Sequence, residues 1–191
     1  MSSLVRFQDN YSVFIETGFG HGSTIAEVVK RPYEEIHSIE IDPDLYARGV
    51  ALFKAYPNVH LHNGSSPDIL PTIIKPEKPT FFWLDAHYSA GMYTGSQEKD
   101  NSLVDKRYGQ CPLLAELKII VNTPWQSKPL ILIDDAICFT KQVYDSYRGH
   151  DLRTYDRSQY PQFAEIQEVL KDYTISTCDD GSGDYFRCES L

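Results

Sequence analysis

The sequence YSVFIETGFGHGST, residues 11–24, runs an apolar stretch into a carboxylate, three alternating glycines and the start of a helix. The apolar residues 13–15 have the composition of a buried strand. Glycines in this spacing permit a tight turn and a close approach of the backbone to a ligand. The glycines are Gly18, Gly20 and Gly22. The stretch therefore predicts a strand, a turn and a helix that bind a nucleotide-type ligand.

Two positions beside the turn separate a diphosphate ligand from a cationic one. A dinucleotide-binding turn would carry a third glycine or an alanine at position 23, where the pyrophosphate meets the helix N-terminus, and this chain has Ser23. Ser23 and Thr24 are suited to cap the helix instead. Glu16 would repel a phosphate and attract an ammonium or sulfonium group. The pattern favours a cationic ligand, with an NAD-dependent oxidoreductase and an ordinary strand-to-helix loop as the alternatives.

A second predicted strand ends in Glu40, within HSIEIDP at residues 37–43. Glu40 follows the first glycine by 22 residues, close to the spacing of about 20 that is typical of a ribose-binding acid. A carboxylate at this position can accept hydrogen bonds from both ribose hydroxyls. Asp42 before Pro43 is a typical helix cap. The alternative for Glu40 is an exposed acid at a strand end.

Together these segments resemble the first motifs of the class I S-adenosylmethionine (SAM)-dependent methyltransferases. The loop at residues 63–71 also resembles the family's adenine-contacting loop. Pro67 stands where the catechol-type enzymes usually carry glutamine, so no side-chain bond to adenine is expected from that position. The resemblance implies that SAM is bound by Glu16, Gly18, Gly20, Gly22, Ser23, Glu40, Ser65, Ser66 and Asp85.

Acids also close two later apolar runs, at residues 80–85 and 129–135. Ligands of an open parallel sheet bind outside the carboxyl ends of its strands, so these acids should converge. The arrangement resembles catechol O-methyltransferase and its metal-dependent relatives, which implies that Asp85, Asp134 and Asp135 hold Mg²⁺ or another divalent metal. The alternative is that Asp85 contacts the methionine part of SAM and that Asp135 caps the next segment.

The residues after the fourth-strand acid differ from that family. Its members carry a lysine as general base three residues after the acid, and this chain has Asp85-Ala-His-Tyr88. His87 is the better base at neutral pH, because histidine titrates near 6.5 and tyrosine near 10. We therefore expect His87 or Tyr88 to act in catalysis, with a positioning role as the alternative for His87.

The order of predicted elements indicates one α/β domain over residues 1–191. We expect a Rossmann-like, seven-stranded, mostly parallel sheet with a C-terminal antiparallel hairpin and with helices on both faces. The polar insert at residues 89–110 follows the fourth strand and would serve as a substrate lid. Few residues precede the first strand, so we expect either a minimal core or a covering segment that comes from such inserts or from the second subunit of a homodimer.

Charge and composition restrict the partners. The net charge of −9 argues against general binding to nucleic acid or to an anionic membrane surface. No apolar run has the length of a membrane span, and no signal peptide is recognisable, so a cytoplasmic location is expected. The four cysteines are expected to be thiols, with a disulfide between Cys178 and Cys188 across a terminal hairpin as the alternative.

These features predict a metal-assisted O-methyltransferase that acts on a small hydroxylated molecule. The alternatives are an NAD-dependent oxidoreductase and a non-catalytic SAM-binding protein.

Overall fold

A computed structural model describes residues 7–88, 104–140, 157–179 and 184–191. Its seven strands form one sheet in the order β3-β2-β1-β4-β5-β7-β6. The first five strands are parallel, and β7 runs antiparallel between β5 and β6. The predicted Rossmann-like sheet with a C-terminal hairpin is confirmed. The strands are β1 (Val13–Thr17), β2 (Glu35–Glu40), β3 (Val59–Asn63), β4 (Thr80–Leu84), β5 (Leu130–Asp134), β6 (Tyr173–Asp179) and β7 (Asp184–Ser190).

Five helices cover the sheet: α1 (Ser23–Val28), α2 (Pro43–Phe53), α3 (Ser66–Ile73), α4 (Leu113–Asn122) and α5 (Phe163–Val169). Asp42 caps α2 as predicted, since its carboxylate accepts from the backbone N–H groups of Asp44 and Leu45 at 2.8 and 3.2 Å. The predicted capping of α1 by Ser23 and Thr24 is wrong. Gly22 is the N-cap of α1 and no side chain caps it, because Ser23 already lies inside the first turn. Within the described part of the chain, no helix is long and apolar enough to cross a membrane.

The core has two layers, one on each face of the sheet. Alternate residues of β1 enter different layers: Val13 and Ile15 pack with α3, α4 and α5, whereas Phe14 packs with α1 and α2. All five residues of β1 are buried, as expected for a parallel strand covered on both faces. The helices therefore lie on both faces, as predicted.

The C-terminal hairpin pairs β6 with β7. The sequence predicts its turn at residues 179–183, of which Asp179 ends β6 and residues 180–183 lie outside the described residues. The register sets Cys178 opposite Tyr185 and Cys188 opposite Ile175. The two cysteines are therefore not cross-strand neighbours. All four cysteines are free thiols, as expected.

Polar side chains of β2 and β3 form a connected row on the sheet face that packs against α3. The ring of His37 is 6% exposed, with Nε2 3.2 Å from Glu35 Oε2 and Nδ1 3.0 Å from His62 Nε2. Burial and, to a smaller extent, the neighbouring rings of His62 and His60 lower the pKa of His37 from 6.5 to about 4, against the raising effect of Glu35. His37 is therefore neutral in the folded protein at physiological pH.

We expect acid to destabilise the fold through His37. Unfolded histidine binds a proton near 6.5 and folded His37 only near 4, so the unfolded state binds more protons between these values. The contribution of neutral His37 to the free energy of unfolding is complete above pH 6.5 and is lost as the pH falls towards 4. This change is on the order of 2–3 kcal/mol. Urea unfolding at pH 7.5 and 5 should show a smaller stability difference in His37→Gln than in wild type. Substitution of the exposed His21 by alanine should leave the wild-type difference unchanged, and an unchanged difference in His37→Gln would contradict this account.

Candidate functional site

The glycine turn joins the carboxyl end of β1 to the start of α1. Gly18, Gly20 and Gly22 all have positive φ, of 85, 54 and 77°. A Cβ atom on Gly18 would lie 2.5 Å from the carbonyl oxygen of Asp85. Only glycine therefore permits the ends of β1 and β4 to approach so closely, and this approach brings the glycine turn next to the acids that follow β4.

Glu40, at the end of β2, holds the glycine turn in place through a hydrogen bond. Its Oε2 accepts from the backbone N–H of Gly20 at 2.9 Å, and its Oε1 accepts from the backbone N–H of Asp42 at 2.9 Å. The residue is 7% exposed, and this burial raises the pKa of its carboxyl group. Each carboxylate oxygen can accept a second hydrogen bond. The proposed ribose-binding acid thus also fixes the loop that would lie under the cofactor.

Glu16 lies below the turn rather than on its surface. It is 1% exposed, and its carboxyl group accepts hydrogen bonds from the hydroxyls of Ser38 and Thr24. Burial raises its pKa well above the usual value, and the nearby acids Asp85 and Glu40 add to this effect. Glu16 therefore ties β1 to β2 and α1, and its role in cofactor binding stays a prediction.

The two serines predicted to meet adenine direct their hydroxyls towards residues 105–116. Ser66 Oγ donates to Glu116 Oε1 at 2.5 Å, and the Ser65 hydroxyl donates to Asp105. Arg107 bridges Asp105 to α3 through paired contacts with Asp68, including 3.1 Å from Nη1 to Oδ1. The last residues of the predicted 89–110 lid thus pack on the start of α3, whereas residues 89–103 lie outside the described residues.

A second group of side chains gathers where β4 and β5 end. Nε2 of His87 lies 3.3 Å from Asp85 Oδ1 and 3.1 Å from Asp135 Oδ2. One ligand atom from each of these three residues lies within 4.8 Å of the others. Asp134, predicted as a metal ligand, is not a member of this group, and its role stays a prediction.

Asp135 owes its place in this group to an unusual backbone conformation. Its φ is 49° and its ψ is 49°, and it is the one non-glycine residue with positive φ among those described. Aspartate tolerates this conformation better than most residues, and strain of this kind collects at functional sites. Asp135 is also the N-cap residue of the short 3₁₀ helix Ala136–Phe139, but it caps the helix through its backbone carbonyl, which accepts from the N–H of Cys138 at 2.7 Å, and not through its side chain.

The electrostatics around His87 favour a positive charge. Burial alone lowers the pKa of His87, but the carboxylates of Asp135 and Asp85 outweigh burial and raise the pKa well above its usual value. Its buried Nε2 lies at ion-pair distance from both acids but makes no aligned hydrogen bond. A buried polar atom of this kind commonly contacts an additional ligand. Either an imidazolium or a bound cation would balance the two carboxylates.

Tyr88 is held through its main chain. Its backbone N–H donates to the carbonyl of Gln110 at 2.8 Å, and the hydroxyl of Tyr160 donates to its carbonyl at 3.1 Å. The ring of Tyr160 also lies 6.3 Å from the ring of His87. These contacts join the end of the predicted lid to the His87 cluster. The catalytic roles of His87 and Tyr88 stay predictions.

The sequence analysis overlooked Glu116, which lies in α4 with a fully buried side chain. The sequence signal that could have identified Glu116 is its spacing, which places it on the same face of the helix as the buried residues Leu113, Leu117 and Ile120. Burial raises the pKa of Glu116 to a net value of about 7, against the lowering effect of the hydroxyls of Ser66 and Thr17. An ionisable group on an otherwise apolar helix face is a signal of function.

Solved structures share this architecture across almost the whole chain. The methyltransferase PaMTH1 of Podospora anserina, solved with S-adenosylhomocysteine (SAH) bound, is 16% identical to this chain. Its TM-score is 0.63 over 94% of this chain and 72% of its own. An O-methyltransferase from Bacillus cereus in complex with SAH is 12% identical, with a TM-score of 0.56 over 95% and 74%. The fold is that of the SAM-dependent methyltransferases.

This methyltransferase fold does not by itself identify the substrate. The 23S rRNA methyltransferase ErmE is also similar, at 14% identity and a TM-score of 0.54 over 97% of this chain and 64% of its own. No family model and no curated protein matches the sequence. The substrate class must therefore be argued from the residues of the site.

Proposed function

We propose that the protein is a SAM-dependent methyltransferase that transfers a methyl group to an oxygen of a small hydroxylated molecule with the help of a divalent metal. The observation that carries this proposal is the group formed by Asp85, His87 and Asp135 beside the glycine turn. The net charge of −9 favours a small molecule over a nucleic acid as the substrate.

In the proposed complex, the methionine part of SAM lies over the glycine turn and the ribose hydroxyls donate to Glu40. The two backbone N–H groups already bound to Glu40 hold its carboxylate in place before the cofactor arrives. Such preorganisation lowers the entropic cost of binding. Backbone groups at the start of α3 would contact the base, because the hydroxyls of Ser65 and Ser66 bind Asp105 and Glu116.

The residues at the ends of β4 and β5 fit a divalent metal. Two carboxylates and a neutral imidazole supply hard oxygen ligands and one nitrogen with a net charge of about −2, which suits Mg²⁺ or Mn²⁺. The unaligned, buried Nε2 of His87 supports this fit. Asp85, His87 and Asp135 would hold the ion, with Asp134 as the further predicted ligand. When bound, the ion would lower the pKa of the substrate hydroxyl.

His87 and Tyr88 are the two candidates for taking the proton of that hydroxyl. A metal on Nε2 of His87 would prevent this nitrogen from accepting the proton, so we expect Tyr88 to accept it as a phenolate, with the bound cation favouring the ionised form of the tyrosine. Tyr88 stands where the catechol-type relatives place lysine. Tyr88→Phe should lower kcat by about 10²-fold, the low end of general-base effects, while leaving the dissociation constant of SAH unchanged. Two results together would instead assign the base to His87. Tyr88→Phe would keep the full rate, and His87→Ala would lose methyl transfer while still binding SAH and metal.

Calorimetric titration with SAH, with and without magnesium, tests the cofactor and the metal together. NAD serves as the competing ligand in the same experiment. Methyl transfer from labelled SAM to a library of vicinal diols and phenols then tests the reaction. Preferential binding of NAD would indicate an oxidoreductase, and SAH binding without transfer to any compound would indicate a non-catalytic SAM-binding protein.

A further inference from the structure

Glu116 is a buried carboxylic acid that the proposed reaction does not use. It lies in α4, in the layer of the core that also contains Leu113, Leu117 and Ile120, and its side chain has no solvent exposure. Placing a carboxyl group in such a layer is unfavourable by several kcal/mol unless polar neighbours compensate for its lost hydration. A leucine at this position would avoid that cost.

The polar neighbours of Glu116 come from a helix and a strand that end beside the proposed cofactor site. Ser66, which donates to Oε1, is the first residue of α3. Thr17 is the last residue of β1 and directly precedes Gly18. Its hydroxyl lies close enough to lower the pKa of Glu116. Glu116 is thus placed between the glycine turn and the loop predicted to contact adenine.

The contact with Thr17 is not an aligned hydrogen bond. Thr17 Oγ1 and Glu116 Oε2 are both buried without an aligned partner. Buried polar atoms without an aligned partner destabilise the fold. Thr17 directly precedes Gly18, so this unfavourable arrangement lies at the start of the glycine turn.

We propose that Glu116 is a positioning residue for cofactor binding, which fixes the start of α3 and the end of β1 on either side of the cofactor at the expense of fold stability. This proposal rests on the proposed function, since it assumes that SAM binds over Gly18 and beside α3. It concerns affinity for the cofactor and not the chemical step.

The test separates binding from stability. Glu116→Leu should bind SAH at least about tenfold more weakly, as expected for the loss of a buried hydrogen-bonding group. Its thermal midpoint should be equal to or above that of the wild type, because an apolar residue suits this layer. Glu116→Gln keeps an acceptor for Ser66 and gains a donor for Thr17, so its SAH affinity should stay within about threefold of the wild type. In both variants kcat at saturating SAM should change less than KM for SAM.

Ser66→Ala provides a second route that leaves the acid in place. It should weaken SAH binding by about three- to tenfold. In the double variant with Glu116→Leu, the loss of SAH binding free energy should be smaller than the sum of the two single losses, since both changes break the same contact. Leu113→Met is the matched control on the same helix face and should leave SAH affinity unchanged.

Three results would overturn the proposal. The first is wild-type affinity in Glu116→Leu and Ser66→Ala, and the second is full additivity of these two changes. The third is a fall in stability of Glu116→Leu that matches its loss of affinity, which would indicate a purely structural role. Failure of the wild-type protein to bind SAH would instead overturn the proposed function.

Discussion

Replacing Glu40 with alanine is expected to weaken SAH binding by about 10²–10³-fold. The ribose would lose both proposed contacts with the carboxylate, at about 1.5–2 kcal/mol each, the low end for hydrogen bonds to a charged group. The same change removes the acceptor for the backbone N–H of Gly20, so the glycine turn would no longer be held in its binding conformation. Calorimetry with SAH measures the effect directly.

Two further variants make this result specific. Glu40→Gln keeps one carbonyl acceptor and should show an intermediate loss, whereas substitution of the exposed Glu34, which pairs with Lys78, should change nothing. The thermal midpoint of each variant shows whether the fold has survived. Unchanged SAH affinity in folded Glu40→Ala would place the cofactor elsewhere.

The fold could be predicted because its signals are local. Buried parallel strands are continuous apolar runs in the sequence, and the five parallel strands alternate with helices that begin at or directly after a proline, a glycine or a serine. Asp42 is an example, since its side chain needs only the next three residues to act as a cap. Ser23 shows the limit of such reasoning, because a shift of one residue moved it from the cap into the helix.

The site was less predictable because it depends on side-chain direction. Asp134 and Asp135 are adjacent in sequence, and only the left-handed conformation of Asp135 directs its carboxylate towards His87. No sequence pattern specifies that conformation for an aspartate. The hydroxyls of Ser65 and Ser66 were likewise assigned by motif, whereas their partners, Asp105 and Glu116, are distant in sequence.

Glu116 escaped prediction for a related reason. Sequence periodicity treats a charged residue on an apolar helix face as an irregularity in the pattern. Its significance emerges only when the sheet brings Ser66 and Thr17 to the same point. A positioning residue of the kind proposed for Glu116 would contact other side chains and not the ligand, so it would have no sequence motif of its own.

Chelation of divalent metal should lower methyl transfer by at least about a thousandfold, because a bound cation contributes several kcal/mol of charge stabilisation to such a reaction. Asp135→Asn should have a similar effect that added magnesium does not reverse, while SAH affinity stays within about threefold because Asp135 is not one of the residues predicted to bind SAM. The binding of manganese, followed by its paramagnetic resonance, gives a readout independent of activity.

The adjacent acid provides the matched control. Asp134→Asn removes the same carboxylate charge one residue earlier, in the strand paired with β7, so a difference between the two variants cannot arise from net charge. If the ligands are Asp85, His87 and Asp135, Asp134→Asn should bind manganese with near wild-type affinity and His87→Ala should not. Equal loss in Asp134→Asn and Asp135→Asn would restore the ligand set predicted from the motif. Full activity in excess chelator would assign the acids to substrate binding, and the charge between them would then be the imidazolium of His87 itself.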